Sequence, residues 1–417
     1  MSIIKKIVSR KEMPVITDEV KIEEFLNRGI ENFYPDRETV KRALMSGRRL
    51  RVYCGFDPTA EALHIGHGIQ IRKLEKLRQL GHEVIFLYGG FTAMVGDPTD
   101  KAQARKVLTT AQVRKNARGW KEQIKNIIDT KKIIFKNNYN WLSKLKFTNI
   151  IELTSLFTVQ QMLAREMFQK RLAEGKDLYL NELMYPLMQA YDSVAMDVDM
   201  EIGGNDQMFN MLAGRTLMKK LKNKEKLVIT TKLLEDPTGK KMGKTEGNAI
   251  SLTDSAEDMF GKIMSWPDTI ITLAMNILTD LPLTEIKEWE NKLAQGINPR
   301  DAKMVLAYEV VKIYKGEVEA NKGKDNFIRV FQEKEKPLEI PEIKIDFSGE
   351  EIGVLDLFVK AGLTASNSEG RRLINEKALK INDQLVTTPD YKVKLSEKEL
   401  LLQRGKRQFI KVKNNNH

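Results

Sequence analysis

The chain is poor in the residues that staple or cage a protein. Of its 417 residues one is cysteine, Cys54, and four are histidine. A lone cysteine excludes an internal disulfide and a cysteine-built metal cage, and it argues against an oxidising, exported setting. No apolar run approaches the ~18 residues of a membrane span. Met1 to Arg10 mixes Ile with Lys and Arg but lacks the continuous apolar stretch of a secretion signal. The cytoplasm is the expected location. There is no internal repeat, and no low-complexity segment beyond Asn414 to Asn416.

What the chain does have is 41% hydrophobic and 30% charged residues, enough for a buried core under a charged coat, which excludes a disordered or fibrous protein. The length suits roughly two or three domains. The formal charge of +12 is unevenly placed: Ile352 to His417 holds 13 basic and 7 acidic residues, and Lys101 to Lys136 holds 11 and 2. Two basic zones on a folded protein point to a polyanion partner. The plainer alternative is a set of solvated helix faces.

Leu50 to Phe56 reads as an extended apolar strand, Ile69 to Leu80 as a helix and Glu83 to Tyr88 as a buried strand, an alternation that predicts an α/β fold with a parallel sheet. From Ser255 to about Gln332 apolar residues recur at helical spacing. Glu333 to Glu350 carries Pro337 and Pro341 with little periodicity, as a linker does. The expected division is therefore an α/β domain over 1–248, a helical domain over 249–332, a linker over 333–350 and a compact basic α+β module over 351–417. The segment before Arg49 carries no functional reading.

Two of the four histidines, His64 and His67, stand three apart where the chain leaves a strand and opens a helix. Residues so spaced share one side of a helix start, beside free N–H groups and the positive end of the macrodipole, which suits phosphate. A zinc pair is the competing reading, but metal ligation needs a third and usually a fourth partner, and the sequence offers no cysteine cluster or other nearby histidine. A second constellation runs from Asp236 to Asn248 with three glycines and Lys240, Lys241 and Lys244. Crowded lysines repel unless an anion joins them. The spacing is not that of a P-loop. Tyr185, Gln189 and Asp192 fall at i, i+4 and i+7; with Pro186 as first helical residue, they would share one face and line a wall.

The His64-Ile65-Gly66-His67 and Lys241-Met242-Gly243-Lys244-Thr245 segments, in that order, resemble the two signatures of class I aminoacyl-tRNA synthetases, whose catalytic domain is a Rossmann-like parallel sheet. Nucleotidylyltransferases share a related histidine pair, and a tryptophan-specific synthetase or a non-catalytic RNA-binding relative stands as an alternative. Tyr53-Cys54-Gly55-Phe56-Asp57-Pro58-Thr59-Ala60 looks like the tyrosyl branch of bacterial type. Ala365 to Ile374 followed by Ala378 to Asn382 looks like an S4 RNA-binding domain.

The resemblance implies that the enzyme activates L-tyrosine with ATP and charges tRNA(Tyr), as a homodimer, with Mg²⁺ arriving on ATP, no dedicated metal site, and neither DNA nor membrane as partner. It implies that Tyr53 and Asp192 hold the substrate phenol, that Tyr185, Gln189 and Asp97 hold its ammonium group, and that Gln207 lies near its carboxylate. Gly55, Asp57, Thr59, His64, His67, Gly203 with Gly204, Asp206 and Lys244 would meet ATP. His64, His67, Lys241, Lys244 and Thr245 would carry the catalysis, with Lys101 and Arg105 on a pyrophosphate-contacting loop. Residues 249–332 would read the anticodon, and Arg371, Arg372, Lys377 and Lys380 would touch RNA. Two departures stand out: Gly243 and Thr245 replace serines of the general motif, and Met208-Phe209 replaces an aromatic-Gly pair after Gln207.

Overall fold

A computed structural model of the chain describes residues 14–99, 107–235, 249–331, 340–345, 351–394, 399–405 and 408–414. Its larger sheet has six strands: β1 (Ile30–Tyr34), β2 (Arg51–Phe56), β3 (Glu83–Tyr88), β4 (Ile134–Asn137), β5 (Met200–Gly204) and β6 (Leu227–Thr231), in the order β1-β6-β5-β2-β3-β4. β2, β3, β5 and β6 are largely buried. That is why they read as near-continuous apolar runs and not as alternating ones. Five strands are parallel, as expected. The exception is β1, which closes one edge antiparallel to β6. It comes from the segment before Arg49, where no strand was foreseen.

The helix Ile65–Gln79 follows β2 and buries Ile65, Ile69, Ile71, Leu74 and Leu77. Beyond the sheet, Ala256–Met264, Ile271–Leu278, Leu283–Ala294, Pro299–Lys315 and Glu317–Phe331 are helical, in agreement with the periodicity. No helix among the described residues is long and apolar enough to cross a membrane.

Spatial contacts divide the chain at residues 320/321, so most of the helical block belongs with the sheet in one unit. The sequence placed that boundary at 249. The difference has a physical cause in bonds between the two: the Arg28 guanidinium donates to the carbonyls of Thr279 (3.1 Å) and Leu281 (2.6 Å), and Asn126 donates to the carbonyl of Tyr314 (2.9 Å).

The second unit contains β7 (Glu342–Ile345), β8 (Glu351–Gly353), β9 (Leu379–Ile381), β10 (Gln384–Leu385), β11 (Lys392–Lys394), β12 (Glu399–Arg404) and β13 (Gln408–Asn414). They form a sheet ordered β10-β9-β12-β13-β7 and a separate β11-β8 pair. Helices Val354–Lys360 and Asn367–Asn375 contribute Val354, Leu357, Phe358 and Leu373 to a core shared with Leu379 and Leu402. Part of the expected linker is therefore structural: β7 lies inside 333–350 and pairs parallel with β13. Its four residues are too few for a periodic signal, and Pro341 immediately before it masked the strand.

Candidate functional site

β2 and β5 are neighbours, with β3 and β4 beyond one and β6 beyond the other, so the sheet's order reverses between them. Crevices form at the carboxyl ends of strands at such a point. A cavity of about 400 Å³ lies there. It is walled by Tyr53 and Gly55 of β2, by Asp57 and Thr59 just after it, by His64 and His67, and by Asp97. Tyr185, Gln189 and Asp192, then Gly203, Asp206 and Gln207, complete the wall. Every site residue expected in the α/β domain meets here, apart from Lys101, Arg105, Lys241, Lys244 and Thr245, which lie outside the described residues.

His64 caps the helix Ile65–Gln79 and His67 sits in its first turn. The rings stack at 3.8 Å, and the His64 backbone N–H donates to His67 Nδ1 at 3.2 Å. The chain flanking the lysine-rich segment is tied to the same place. Leu233 and Leu234 line the cavity on one side of that segment. On the other side, Ile65 N–H donates to the Ile250 carbonyl (2.9 Å) and Leu252 N–H to the Leu63 carbonyl (2.8 Å).

Tyr185, Gln189 and Asp192 share a face of the helix Leu180–Met196, but Pro186 does not start it. The helix begins six residues earlier, where Glu182 accepts from the Tyr179 N–H at 3.1 Å and ties down the first turn. The preference of proline for the first helical position was overridden by that cap, at the expense of one interior backbone bond.

The polar groups of the cavity already engage one another. Asp57 accepts from Thr92 Oγ1 (2.7 Å) and from the Tyr185 hydroxyl (2.9 Å). Asp192 accepts from Asn138 Nδ2 (3.1 Å) and Trp141 Nε1 (2.8 Å), while burial pushes its carboxyl well above the usual carboxylate range. Burial also raises the phenols of Tyr53 and Tyr185, so both stay protonated. Gln207 donates to Asp97 (2.7 Å) and accepts from Asn210 (3.0 Å). The variant Met208-Phe209 pair has partners of its own: Met208 Sδ receives the Tyr34 hydroxyl at 2.6 Å and the Phe209 ring lies 5.3 Å from the Arg165 guanidinium.

Gly203 and Gly204 leave room for neighbouring side chains that a Cβ would displace. A Cβ on Gly203 would stand 2.9 Å from Met211 Sδ, and one on Gly204 would stand 2.5 Å from Asp206 Oδ1.

Chemically, Asp57, Asp97 and Glu201 line the cavity, which suits an ammonium group. The histidine pair at a helix N-terminus suits phosphate. Among the described residues no group of three His, Cys, Asp or Glu side chains is arranged to hold a metal ion. In the second unit Arg371 and Arg372 are exposed on the helix Asn367–Asn375, and Lys377 and Lys380 follow at the turn and on β9.

Residues 45–332 match the profile of the family described as tRNA synthetases class I (W and Y). The chain belongs to that family. Residues 334–412 of this class I synthetase match the tyrosine–tRNA ligase SYY-like C-terminal domain. It is 42% identical to the tyrosine–tRNA ligase of Carboxydothermus hydrogenoformans over 96% of this chain and 99% of that one. It is 39% identical to that of Thermotoga maritima over 95% and 97%. Among solved structures, a C-terminally truncated mitochondrial tyrosyl-tRNA synthetase of Aspergillus nidulans aligns with a TM-score of 0.62 at 25% identity, covering 75% of this chain and 94% of that one. The Archaeoglobus fulgidus tyrosyl-tRNA synthetase complexed with L-tyrosine shares the fold, with a TM-score of 0.59 at 20% identity over 74% and 100%.

Reasoning from this synthetase's sequence missed the residues that hold its pocket residues in place. Ser193 bonds the Tyr53 hydroxyl at 3.0 Å and receives Lys226 Nζ at 2.8 Å. Lys226 also contacts Glu201, whose other oxygen accepts from Gln189 at 3.0 Å. Lys226 and Glu201 sit at the head of β6 and within β5, and a charged residue in or beside an otherwise apolar buried run was the available signal. Asn138 and Trp141 had none, because they belong to the cap and body of the four-residue helix Tyr139–Leu142 after β4, far along the chain from Asp192.

Proposed function

We propose that the enzyme is a tyrosine–tRNA ligase working at this cavity: it joins L-tyrosine to ATP as tyrosyl-adenylate with release of pyrophosphate, then passes the tyrosyl group to the 3′ end of tRNA(Tyr). The observation that carries the reading is the union, at one strand-order reversal, of a carboxylate-lined end with a stacked histidine pair at a helix start. Tyr53 and Asp192 receive the phenol, Tyr185, Gln189 and Asp97 the ammonium group, and Gln207 lies by the carboxylate. Gly55, Asp57, Thr59, Gly203 and Asp206 meet the nucleotide.

In the first step a tyrosine carboxylate oxygen attacks the α-phosphorus in line and the bond to pyrophosphate breaks. No covalent enzyme intermediate is needed, so positioning and charge stabilisation supply the rate. His64 and His67 bind phosphate oxygens as charge gathers on them. Lys241, Lys244 and Thr245, with Lys101 and Arg105, act on the leaving pyrophosphate, which raises turnover more than affinity. Mg²⁺ arrives with ATP. In the second step a hydroxyl of the terminal ribose attacks the adenylate's carbonyl and AMP leaves.

The helical block, residues 249–332, reads the anticodon, and Arg371, Arg372, Lys377 and Lys380 grip the tRNA backbone by shape and phosphate contacts. The enzyme is read as a cytoplasmic homodimer, with neither DNA nor membrane as partner. Phe147, Ile151, Val159 and Leu180 are large apolar side chains left more than half exposed, which supports a second copy covering them.

The test is tyrosine-dependent exchange of labelled pyrophosphate into ATP, with phenylalanine and tryptophan in parallel and Lys244→Ala as control. Exchange with tyrosine alone, lost in the control, is the expected result. Absence of exchange with every amino acid, in folded protein that binds RNA, would favour the non-catalytic RNA-binding alternative.

A further inference from the structure

A second cavity of about 260 Å³ lies where the helix Glu19–Asn27, the helix Ile65–Gln79 and Ile277 of the helical block meet. Ile69 walls both this cavity and the catalytic one. Five cations line it: Lys21, Arg28, Arg72, Lys73 and Lys76. Two carboxylates answer them. Glu24 stands 3.4 Å from Arg28, and Asp280 stands 3.0 Å from Arg72 and 3.1 Å from Lys76. The floor is apolar, with Phe25, Leu80 and Ile277.

The positive excess is held inside the protein. Arg28, Arg72 and Lys73 are each less than a tenth exposed. The Lys73 ammonium donates to the backbone carbonyls of Phe25 (2.9 Å) and Arg28 and lies 4.6 Å over the Phe25 ring, so carbonyls and a ring face, not a carboxylate, hold it. Arg28 Nε and Arg72 Nη1 are buried without a hydrogen-bond partner among the described residues. Like charges in a low-dielectric space repel strongly, and buried unpaired donors are rare. An anion removes both penalties at once.

We propose that this cavity binds a small amphiphilic anion, an aryl or alkyl body bearing a phosphate or carboxylate, whose charge meets Lys73, Arg28 and Arg72 and whose body lies on Phe25, Leu80 and Ile277. The bound molecule sits one side chain, Ile69, away from the catalytic cavity. It also bridges the histidine-bearing helix to the helical block, because Arg28 holds the carbonyls of Thr279 and Leu281.

Binding carries a proton signature. Burial first, then Arg28, Arg72 and Lys76, hold the Lys73 ammonium down to about 7, with Glu24 opposing. Among the described residues, Lys21 on the cavity wall and Asp280, bonded to Arg72 and Lys76, are the remaining charges of the cluster. An anion against Lys73 raises its pKa, so at pH 8 the complex takes up close to one proton.

The experiment is calorimetric titration of the full-length protein with phenyl phosphate, benzoate, phenol and inorganic phosphate. Saturating tyrosine keeps aryl probes out of the catalytic cavity, and buffers of different ionisation enthalpy report proton uptake. Expected are binding of phenyl phosphate or benzoate at least tenfold tighter than phenol or inorganic phosphate, proton uptake at pH 8, a tenfold weakening in the rim variant Lys76→Glu, and loss of the uptake in Lys73→Met. The better of the two anions identifies the headgroup. The proposal is overturned if neither anion binds better than phenol, if Lys76→Glu binds as tightly as the parent, or if tyrosine abolishes the binding. Lys76→Glu decides the matter even where Lys73→Met fails to fold.

Discussion

Lys226 and Glu201 meet beneath the catalytic cavity with side chains 0% and 2% exposed, and through them Gln189 and Tyr53 are held from behind. Burial lowers the Lys226 pKa, and the adjacent Glu201 carboxylate opposes that shift. Lys226 does not line the cavity, so its effect on the substrate is indirect. Lys226→Met strands Glu201 as a buried unpaired charge, and losing one partner of such a pair costs about 3–5 kcal/mol. Urea unfolding should show that loss, and Lys226→Met with Glu201→Gln should recover most of it. In the single variant KM for tyrosine should rise several-fold; an unchanged KM would refute the positioning role.

Asp192 makes a narrower prediction. Its carboxyl is fixed by Asn138 and Trp141, so removing it also frees those two donors. Leaving the buried phenol without this partner costs about 1–3 kcal/mol, or roughly 5- to 150-fold in selectivity. Asp192→Ala should lower the preference for tyrosine over phenylalanine in pyrophosphate exchange by about that factor. Sites that bond a substrate hydroxyl reject the analogue lacking it by about 10⁴–10⁵, a range whose standard example is itself a tyrosine-specific synthetase. Unaltered selectivity in Asp192→Ala would remove Asp192 from the phenol site.

Acid should weaken the fold through His82. This side chain is 2% exposed; Nδ1 accepts from Leu50 N–H at 3.3 Å, and Nε2 is buried without a partner among the described residues. Burial, with Arg49 next, pulls its pKa down to about 4 from an ordinary value of 6.5. Above pH 6.5 both folded and unfolded chains hold it neutral, and its contribution is flat. Between 6.5 and 4 the unfolded chain takes a proton that the folded chain refuses. Stability therefore falls with pH by about 1.4 kcal/mol per unit, or about 3 kcal/mol across the window. Urea midpoints measured from pH 7 to 5, above most carboxylate titration, should show the slope in the parent and a shallower one in His82→Gln, which keeps an acceptor but does not titrate.

The strands β2 and β3 and the histidine-bearing helix were legible because each is a local pattern: an apolar run, a 3.6 period, a strand-to-helix turn. In the cavity wall, His64 and His67 were legible from their strand-to-helix turn and Tyr185, Gln189 and Asp192 from helical spacing, while Tyr53, Gly55, Asp57, Thr59, Asp97, Gly203, Asp206 and Gln207 came only from the family resemblance. What escaped was non-local. Ser193, Lys226 and Glu201 act as a unit only after β5 and β6 pair, and Asn138 reaches Asp192 across 54 positions of chain. β1 escaped because its partner, β6, lies nearly 200 residues away in sequence. The start of the helix carrying Pro186 escaped because a capping interaction overruled a positional preference.

Gly68 shows how one such non-local contact joins the histidine-bearing helix to the helical block. A Cβ there would stand 2.1 Å from the Tyr314 hydroxyl and 2.9 Å from its ring carbons. Tyr314 is 4% exposed on the helix Pro299–Lys315, and its hydroxyl has no hydrogen-bond partner among the described residues, so it has little room to retreat and no bond to lose. Gly68→Ala should therefore destabilise by about 1–3 kcal/mol, as overpacking does, despite the better helix propensity of alanine. The conflict lies mostly with one oxygen. Tyr314→Phe alone should cost little, and Gly68→Ala with Tyr314→Phe should be more stable than the sum of the singles implies, a coupling of about 1 kcal/mol or more in a double-mutant cycle. Additive effects would mean that the helix adjusts without Tyr314, and that Gly68 is not where the histidine pair is tied to the helical block.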